Sequence, residues 1–199
     1  MIHLTPYEQR MLDGEFGAAK QVALQKIIDY AQILGATELV PITKAHLCCG
    51  STCEPSDFPD GNLDRPDILA MGYHDWQTKL KCPGLDPAAF NSFNETTYVM
   101  DDVHCCDTFQ WQWPQQTKEF YENNRQILSD AADRGVMIGS TCAPYLAGWL
   151  PVMGEYFVTT ESSNVLYSNS ILGARGNGGG GNTTFCSAIC GRAPKWGLH

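Results

Sequence analysis

The segment from Ser140 to Arg175, STCAPYLAGWLPVMGEYFVTTESSNVLYSNSILGAR, contains the pattern that decides the fold class. The apolar run 136–138 precedes it and leads to Cys142, so we expect this thiol just past the end of a strand. A second run, 156–159, leads to Glu161-Ser162-Ser163 and predicts another strand that ends in a polar loop. Alternating strands and helices indicate an α/β domain, in which ligands bind where strands end. We therefore expect Cys142 and the Glu-Ser-Ser cluster to share one site.

Other segments carry helix and strand signals. Thr5 and Glu8 form a capping box that predicts a helix ending near Gly14. The remaining predicted elements are a helix over 18–34, a strand over 39–42, a helix over 115–134, a helix beginning at Ser163 as N-cap with Val165, Leu166 and Leu172 on one side, and a helix over 183–189. The glycine-rich patch 173–182 is open to two interpretations, a backbone that approaches an anion or a flexible loop.

Charge and hydropathy exclude several classes of protein. The net charge is −9 and no basic stripe is present, which disfavours a nucleic-acid partner. No apolar run approaches the roughly 20 residues that span a bilayer. The first ten residues lack the pattern of a secretory signal, so we expect a cytoplasmic protein without a membrane partner.

The nine cysteines are many for such a chain, and an odd number with two vicinal pairs does not resemble a disulfide framework. Metal or cluster chemistry in a reducing compartment fits better, with buried thiols as the alternative. Cys186 and Cys190 are spaced to share a helix face, where His104 or His46 would complete a zinc site. A separate acidic run around His104 is either a divalent-cation site or a solvated loop; it contains Asp101, Asp102 and Asp107.

Three motifs carry a resemblance to a known family. TCAPYL, ESSNVLYSNSILGAR and the closing GRAPKWGLH resemble the catalytic domain of the aconitase X family, iron–sulfur hydro-lyases distantly related to aconitase. The opening helices and first strand are similar as well. This resemblance implies an α/β, aconitase-like three-layer α/β/α domain, of which residues 1–199 are the N-terminal part without an internal boundary. It also implies two partners, the remaining half of the catalytic domain and a small swivelling domain or subunit.

The resemblance assigns roles to particular residues. Cys142 matches an iron–sulfur ligand, although the residues alone favour a buried structural cysteine. The other cluster ligands and the general base are expected outside this chain. The predicted substrate-binding residues lie near strand ends or match the family pattern: Lys44, His46, Glu161, Ser162, Ser163, Asn169 and Arg175. Alternatives from the residues alone are a helix cap for Ser163 and a surface cation for Arg175.

Removal of water from a small hydroxylated acid is the reaction that this resemblance implies. An iron with an open coordination site would act as a Lewis acid on the departing hydroxyl group. Family members act on cis-3-hydroxy-L-proline or mevalonate 5-phosphate, and the scarcity of clustered cations favours the amino acid. Two alternatives stay open, a non-enzymatic thiol-rich metal-binding domain and an inactive fragment.

Overall fold

A parallel β-sheet forms the centre of the structure. The computed structural model describes residues 1–47, 100, 103–105, 132–133, 135–139, 141–179 and 181–198. The helices of these ranges are α1 (Pro6–Leu12), α2 (Ala18–Leu34), α3 (Ser162–Ser170) and α4 (Gly181–Cys190), with a 3₁₀ turn at Pro144–Ala147. The strands are β1 (Leu39–Pro41), β2 (Lys44–Leu47), β3 (Val103–Cys105), β4 (Met137–Ile138), β5 (Tyr156–Thr159), β6 (Arg175–Gly178) and β7 (Arg192–Pro194).

The order of the strands creates a switch point in the five-stranded sheet. The spatial order is β4-β3-β2-β5-β6, and each neighbouring pair is parallel. From β2 the chain adds β3 and β4 on one side, and it then returns to add β5 and β6 on the other. In open parallel sheets, ligands bind at the carboxyl ends of the strands where the order reverses. The gap between β2 and β5 is that position here.

Helices cover both faces of the sheet. Val158 of β5 belongs to the main core cluster, together with Ala45 of β2 and buried residues of α2 and α4 such as Ile27 and Ile189. Phe157 points the other way, into a smaller cluster with Trp149. Because successive side chains of a strand alternate between faces, α3 packs on the Phe157 face and α4 with α2 on the Val158 face. The result is the three-layer arrangement that the resemblance implies.

The N-terminal elements close one edge of the core. The capping box is confirmed, because Thr5 Oγ1 accepts from Glu8 N–H at 3.3 Å and Glu8 Oε2 accepts from Thr5 N–H at 2.8 Å. The buried carboxylate of Glu8 also pairs with Arg192 at 2.8 Å, which ties α1 to β7. The bounds of α2 match the prediction, and Gly35 ends the helix in the left-handed conformation.

The strand predicted over 39–42 is confirmed as Leu39–Pro41. It pairs antiparallel with β7 in a separate two-stranded sheet, and β2 is the next strand of the chain in the main sheet. The first half of the glycine-rich patch is the strand β6 at Arg175–Gly178, so the flexible-loop interpretation is wrong for these residues. The glycine is needed because a Cβ on Gly176 would lie 2.2 Å from Cζ of Phe157.

Some predictions fall outside the described residues. These are most of the helix over 115–134, the acidic side chains near His104, and five cysteines: Cys48, Cys49, Cys53, Cys82 and Cys106. In the described ranges, no helix combines the length and apolar character needed to cross a bilayer.

Candidate functional site at the switch point

A buried histidine and threonine face each other across the switch point. His46 of β2 is opposite Thr159 of β5 in the sheet register, and both side chains are fully buried. His46 Nδ1 lies 3.0 Å from Thr159 Oγ1, and His46 Nε2 lies 3.2 Å from the carbonyl oxygen of Thr141. The Thr141 carbonyl can only accept, so Nε2 carries the proton and donates to it. Nδ1 of the neutral ring then accepts from the Thr159 hydroxyl.

Thr159 uses its whole hydrogen-bonding capacity in this network. Its hydroxyl donates to His46 and accepts from Glu161 N–H at 3.1 Å and from Asn164 Nδ2 at 3.2 Å. A hydroxyl offers one donor and two acceptor sites, and all three are occupied. The network therefore fixes the loop that carries Thr141 and the loop that carries Glu161 relative to the same strand end.

The environment keeps His46 neutral. Burial lowers the pKa of His46 to about 4, against a smaller opposing effect of the hydrogen bond to Thr141. The ring of His104 stacks on it, with 5.2 Å between the ring centroids, and burial lowers the pKa of His104 as well. A Cβ on Gly139 would lie 1.7 Å from His104 Nε2, so only glycine fits there. His104 is buried, which excludes the solvated-loop interpretation for this residue.

The thiol and the serine cluster are neighbours. Ser163 Oγ donates to the carbonyl oxygen of Cys142 at 3.1 Å, and Cys142 is exposed. The alternative of a buried structural cysteine is therefore wrong for Cys142, and its position beyond the end of β4 agrees with the prediction. The prediction that Ser163 caps α3 is also wrong. Glu161 occupies the N-cap position without a side-chain cap bond, and Ser163 lies inside the first turn.

The first turn of α3 has backbone N–H donors at the carboxyl end of the sheet. The earliest intrahelical bond runs from Val165 N–H to the Glu161 carbonyl, so the N–H groups of residues 162–164 have no acceptor in the helix. Helix N-termini of this kind attract anions. The buried face of α3 is polar, with Asn164 and Ser168, whereas Leu166 is exposed. The prediction that Val165, Leu166 and Leu172 form the buried side of this helix is therefore wrong. The buried side carries Asn164 instead, which donates a hydrogen bond to Thr159.

Three predicted substrate contacts lie elsewhere. Lys44 is the first residue of β2, two residues before His46 and toward the amino end of the sheet. Arg175 begins β6 opposite Tyr156, about 10 Å from the carboxyl end at about 3.3 Å per residue. Its guanidinium lies 5.8 Å from the centre of the Tyr156 ring. The side chain of Asn169 bonds both backbone groups of Gly176, at 2.7 and 2.9 Å, and so joins α3 to β6.

The zinc alternative finds no support in the described residues. Cys186 and Cys190 are buried in α4 on the opposite face of the sheet from His46. Burial raises the pKa of Cys190 to about 12, so the group is a neutral thiol in this apolar environment. Within the described ranges, no group of three or more His, Cys, Asp or Glu side chains is arranged to hold a metal ion.

Sequence reasoning missed the residues that organise the site. Thr141 and Asn164 lie within the motifs TCAPYL and ESSNVLYSNSILGAR but were assigned no role, and Thr159 lies outside both motifs. One signal was available, since Thr159 ends a strand whose preceding residues are apolar, and a polar residue at a buried strand end needs partners.

Comparison with known proteins decides the family. The family model described as the aconitase X first domain matches residues 1–65 and 93–199. The chain belongs to the aconitase X family. This confirms the resemblance, and the structure agrees with it. The crystal structure of Thermococcus kodakaraensis aconitase X in its holo-form superposes with a TM-score of 0.71 at 27% identity, over 100% of this chain and 43% of that chain.

Two kinds of dehydratase occur among the relatives. The phosphomevalonate dehydratase large subunit of Methanothermobacter thermautotrophicus is 31% identical over 100% of this chain and 44% of its own length. The cis-3-hydroxy-L-proline dehydratase of Hypocrea jecorina is 29% identical over 100% of this chain and 29% of its own length. The chain thus spans less than half the length of these relatives.

Proposed function

We propose that this chain forms part of a hydro-lyase that removes water from a small hydroxylated acid at the β2–β5 switch point. The observation that carries the proposal is the 3.1 Å hydrogen bond from Ser163 to the Cys142 carbonyl, because it joins an exposed thiol to the anion-attracting end of α3. Relatives of both kinds are named dehydratases, which supports the same reaction class.

Cys142 is the candidate iron–sulfur ligand of this chain. Its exposure at a strand end suits a ligand that faces a substrate, whereas Cys186 and Cys190 are buried in the core on the other side of the sheet. One thiol fits one position of a cluster, so the remaining ligands come from outside the described residues. A bound cluster of this kind supplies a Lewis acid for the departing hydroxide.

The α3 end is the candidate substrate cradle. The unbonded N–H groups of its first turn and the exposed side chains of Ser162 and Ser163 suit a carboxylate. Glu161, in the preceding loop, is placed to meet a cationic group such as an amine. The general base is assigned to the part of the protein beyond this chain, together with the second half of the catalytic domain and a small swivelling partner.

The positions of the cations favour cis-3-hydroxy-L-proline as the substrate. In the described residues of the loops that follow β4, β5 and β6, no Lys or Arg stands at the carboxyl edge, while Lys44 and Arg175 lie toward the other end of their strands. A zwitterion needs one anion site and one anionic partner, which α3 and Glu161 supply. Mevalonate 5-phosphate is the second candidate, because relatives about 30% identical are phosphomevalonate dehydratase large subunits.

The predicted contacts of His46 and Asn169 are revised in this proposal. The ring nitrogens of His46 are committed to Thr141 and Thr159, and the amide of Asn169 is committed to Gly176. Both residues therefore position the loops of the site. Because thiolate clusters persist in reducing compartments, we place the protein in the cytoplasm.

Anaerobic purification of the intact protein tests the proposal. We expect iron and acid-labile sulfide, and double-bond formation from cis-3-hydroxy-L-proline with little from mevalonate 5-phosphate. Cys142→Ser should lose iron and reduce kcat/KM by roughly 10³-fold, the effect of about 4 kcal/mol of lost Lewis-acid assistance. Cys186→Ser serves as the matched control and should keep its iron. Full iron content and activity in Cys142→Ser, or no activity of the intact protein on either acid, would overturn the proposal.

A further inference from the structure

A pocket lies on the face of the sheet opposite the His46–Thr159 pair. It is enclosed by α2, α4, β5, β6 and the segment after β7, and its empty space is about 510 Å³ with the solvent at its mouth included. Tyr30, Leu34 and Trp196 are among its apolar walls, and Arg175 and Thr184 line it as well. Pockets with mostly apolar walls and a few convergent polar groups are typical of small-molecule sites.

Thr184 leaves a hydroxyl unsatisfied inside this region. The side chain is 1% exposed, and its Oγ1 has no hydrogen-bond partner among the described residues. A buried hydroxyl without a partner is destabilising, and such groups are rare in native proteins. A site for an added acceptor would explain why this position is polar.

The first turn of α4 surrounds the same spot. A Cβ built on Gly179 would lie 2.8 Å from Thr184 Oγ1, 3.0 Å from Thr183 Oγ1 and 3.8 Å from the Thr184 backbone nitrogen. Only a residue without a side chain lets the backbone at position 179 pass this close to the two hydroxyls at the start of the helix. The first N–H groups of a helix lack intrahelical acceptors and carry partial positive charge. A glycine-rich segment leading into a helix is a recurrent arrangement for anions.

We propose that this pocket binds a small amphipathic acid, a carboxylate or a phosphate ester, with its anionic group at the first turn of α4. The apolar body of the ligand packs between Tyr30, Leu34 and Trp196, and Arg175, stacked on Tyr156, adds positive charge within the pocket. This site is additional to the dehydratase function, because its residues lie on the other face of β5 and β6 from the thiol and the α3 end.

Isothermal titration calorimetry of the intact protein provides the test. The probes are phenyl phosphate and benzoate, which share an aromatic body, and benzyl alcohol as the neutral control. We expect saturable binding of at least one anion and much weaker binding of the alcohol. The anion that binds more tightly identifies the ligand as a phosphate ester or a carboxylic acid.

Four substitutions locate the binding site. Thr184→Val removes the hydroxyl without a change of shape and should weaken anion binding about tenfold, which is the loss of one hydrogen bond to a charged group. Gly179→Ala places a methyl group against the Thr184 hydroxyl and should weaken binding at least as much. Thr184→Ser keeps the hydroxyl, and Gly178→Ala meets only Val165 at 3.7 Å on the α3 side, so both controls should bind within about threefold of wild type.

Two results would overturn the site. One is the absence of saturable binding of both anions to the wild-type protein. The other is unchanged affinity in both Thr184→Val and Gly179→Ala. Each result is independent of dehydratase activity, which is not measured in this experiment.

Discussion

The two ends of the parallel sheet carry different functional groups. At the carboxyl end, the His46–Thr159 network holds the loop of Cys142 against the start of α3. Toward the amino end, Arg175 stacks on Tyr156, three residues from the last residue of β6. Residues that sequence reasoning grouped into one site are therefore divided between the two ends. The start of a parallel strand and the end of its neighbour lie at opposite edges of the sheet, and a sequence motif does not indicate at which edge a residue lies.

Among the changes that test this difference between the two ends, Thr159→Val should have the largest effect. The substitution leaves His46 Nδ1, Glu161 N–H and Asn164 Nδ2 without their partner, so the free energy of unfolding should fall by about 3 kcal/mol, at about 1–3 kcal/mol per unsatisfied group. Thr159→Ser is the control and should cost less than about 1 kcal/mol, because it removes only a methyl group. Urea unfolding measures both. Equal losses in the two variants would show that the hydroxyl does not organise this end.

The second-largest effect is expected from acidification, which should lower the free energy of unfolding through His46 at the carboxyl end of the sheet. The pKa of His46 is about 4 in the folded protein and close to its ordinary value of 6.5 in the unfolded chain. The unfolded chain therefore binds more protons between these values, and the stability contributed by neutral His46 is complete above pH 6.5 and declines as the pH falls toward 4. The free energy of unfolding should fall by about 2 kcal/mol between pH 7 and pH 5 from this group.

NMR titration of the His46 ring gives the matching site-specific measurement. The ring should remain neutral in the folded protein until the pH approaches 4. A ring that titrates near pH 6.5 would contradict the buried hydrogen-bonded network.

Ser163→Ala should reduce activity without unfolding the protein. The hydroxyl is exposed and donates to the Cys142 carbonyl, so its loss loosens the loop that carries Cys142 against α3. We expect kcat/KM to fall about tenfold, as for other residues that orient a metal ligand. Ser170→Ala, at the exposed far end of α3, is the matched control. Equal activities in the two variants would remove the evidence that this bond positions the site.

The smallest effect is expected from Arg175→Gln. Its guanidinium stacks on Tyr156 at the far end of β6, so kcat/KM for the dehydration should stay within about threefold of wild type, below 0.7 kcal/mol. Steady-state kinetics on the intact protein measures this. A loss of two orders of magnitude would restore Arg175 to the substrate site and end the distinction between the two ends.

Much of the fold was predictable from the sequence, for identifiable reasons. The α2 helix has length, a regular apolar pattern and Gly35 as its stop, and β5 is a short apolar run with a clear polar end. The β6 strand was not predictable because glycine is unfavourable in strands. The strand pairs with β5, and the Phe157 ring occupies the space over Gly176, a tertiary contact that the local sequence does not indicate.

The candidate site was predictable only in part. The proximity of Cys142 to the Glu-Ser-Ser segment followed from two strands that end in polar residues. The role of Thr159 did not, because a threonine becomes a hub only when His46 and Asn164 are brought to it from other elements. Local sequence patterns carry no information about such a convergence.

A structure of the intact protein with its hydroxylated acid bound tests the central claim most directly. We expect the acid beside Cys142 and the first turn of α3, with the guanidinium of Arg175 about 10 Å or more away along β6. Electron density for the acid against Arg175 at the amino end of the sheet, with the Cys142 loop empty, would contradict the account.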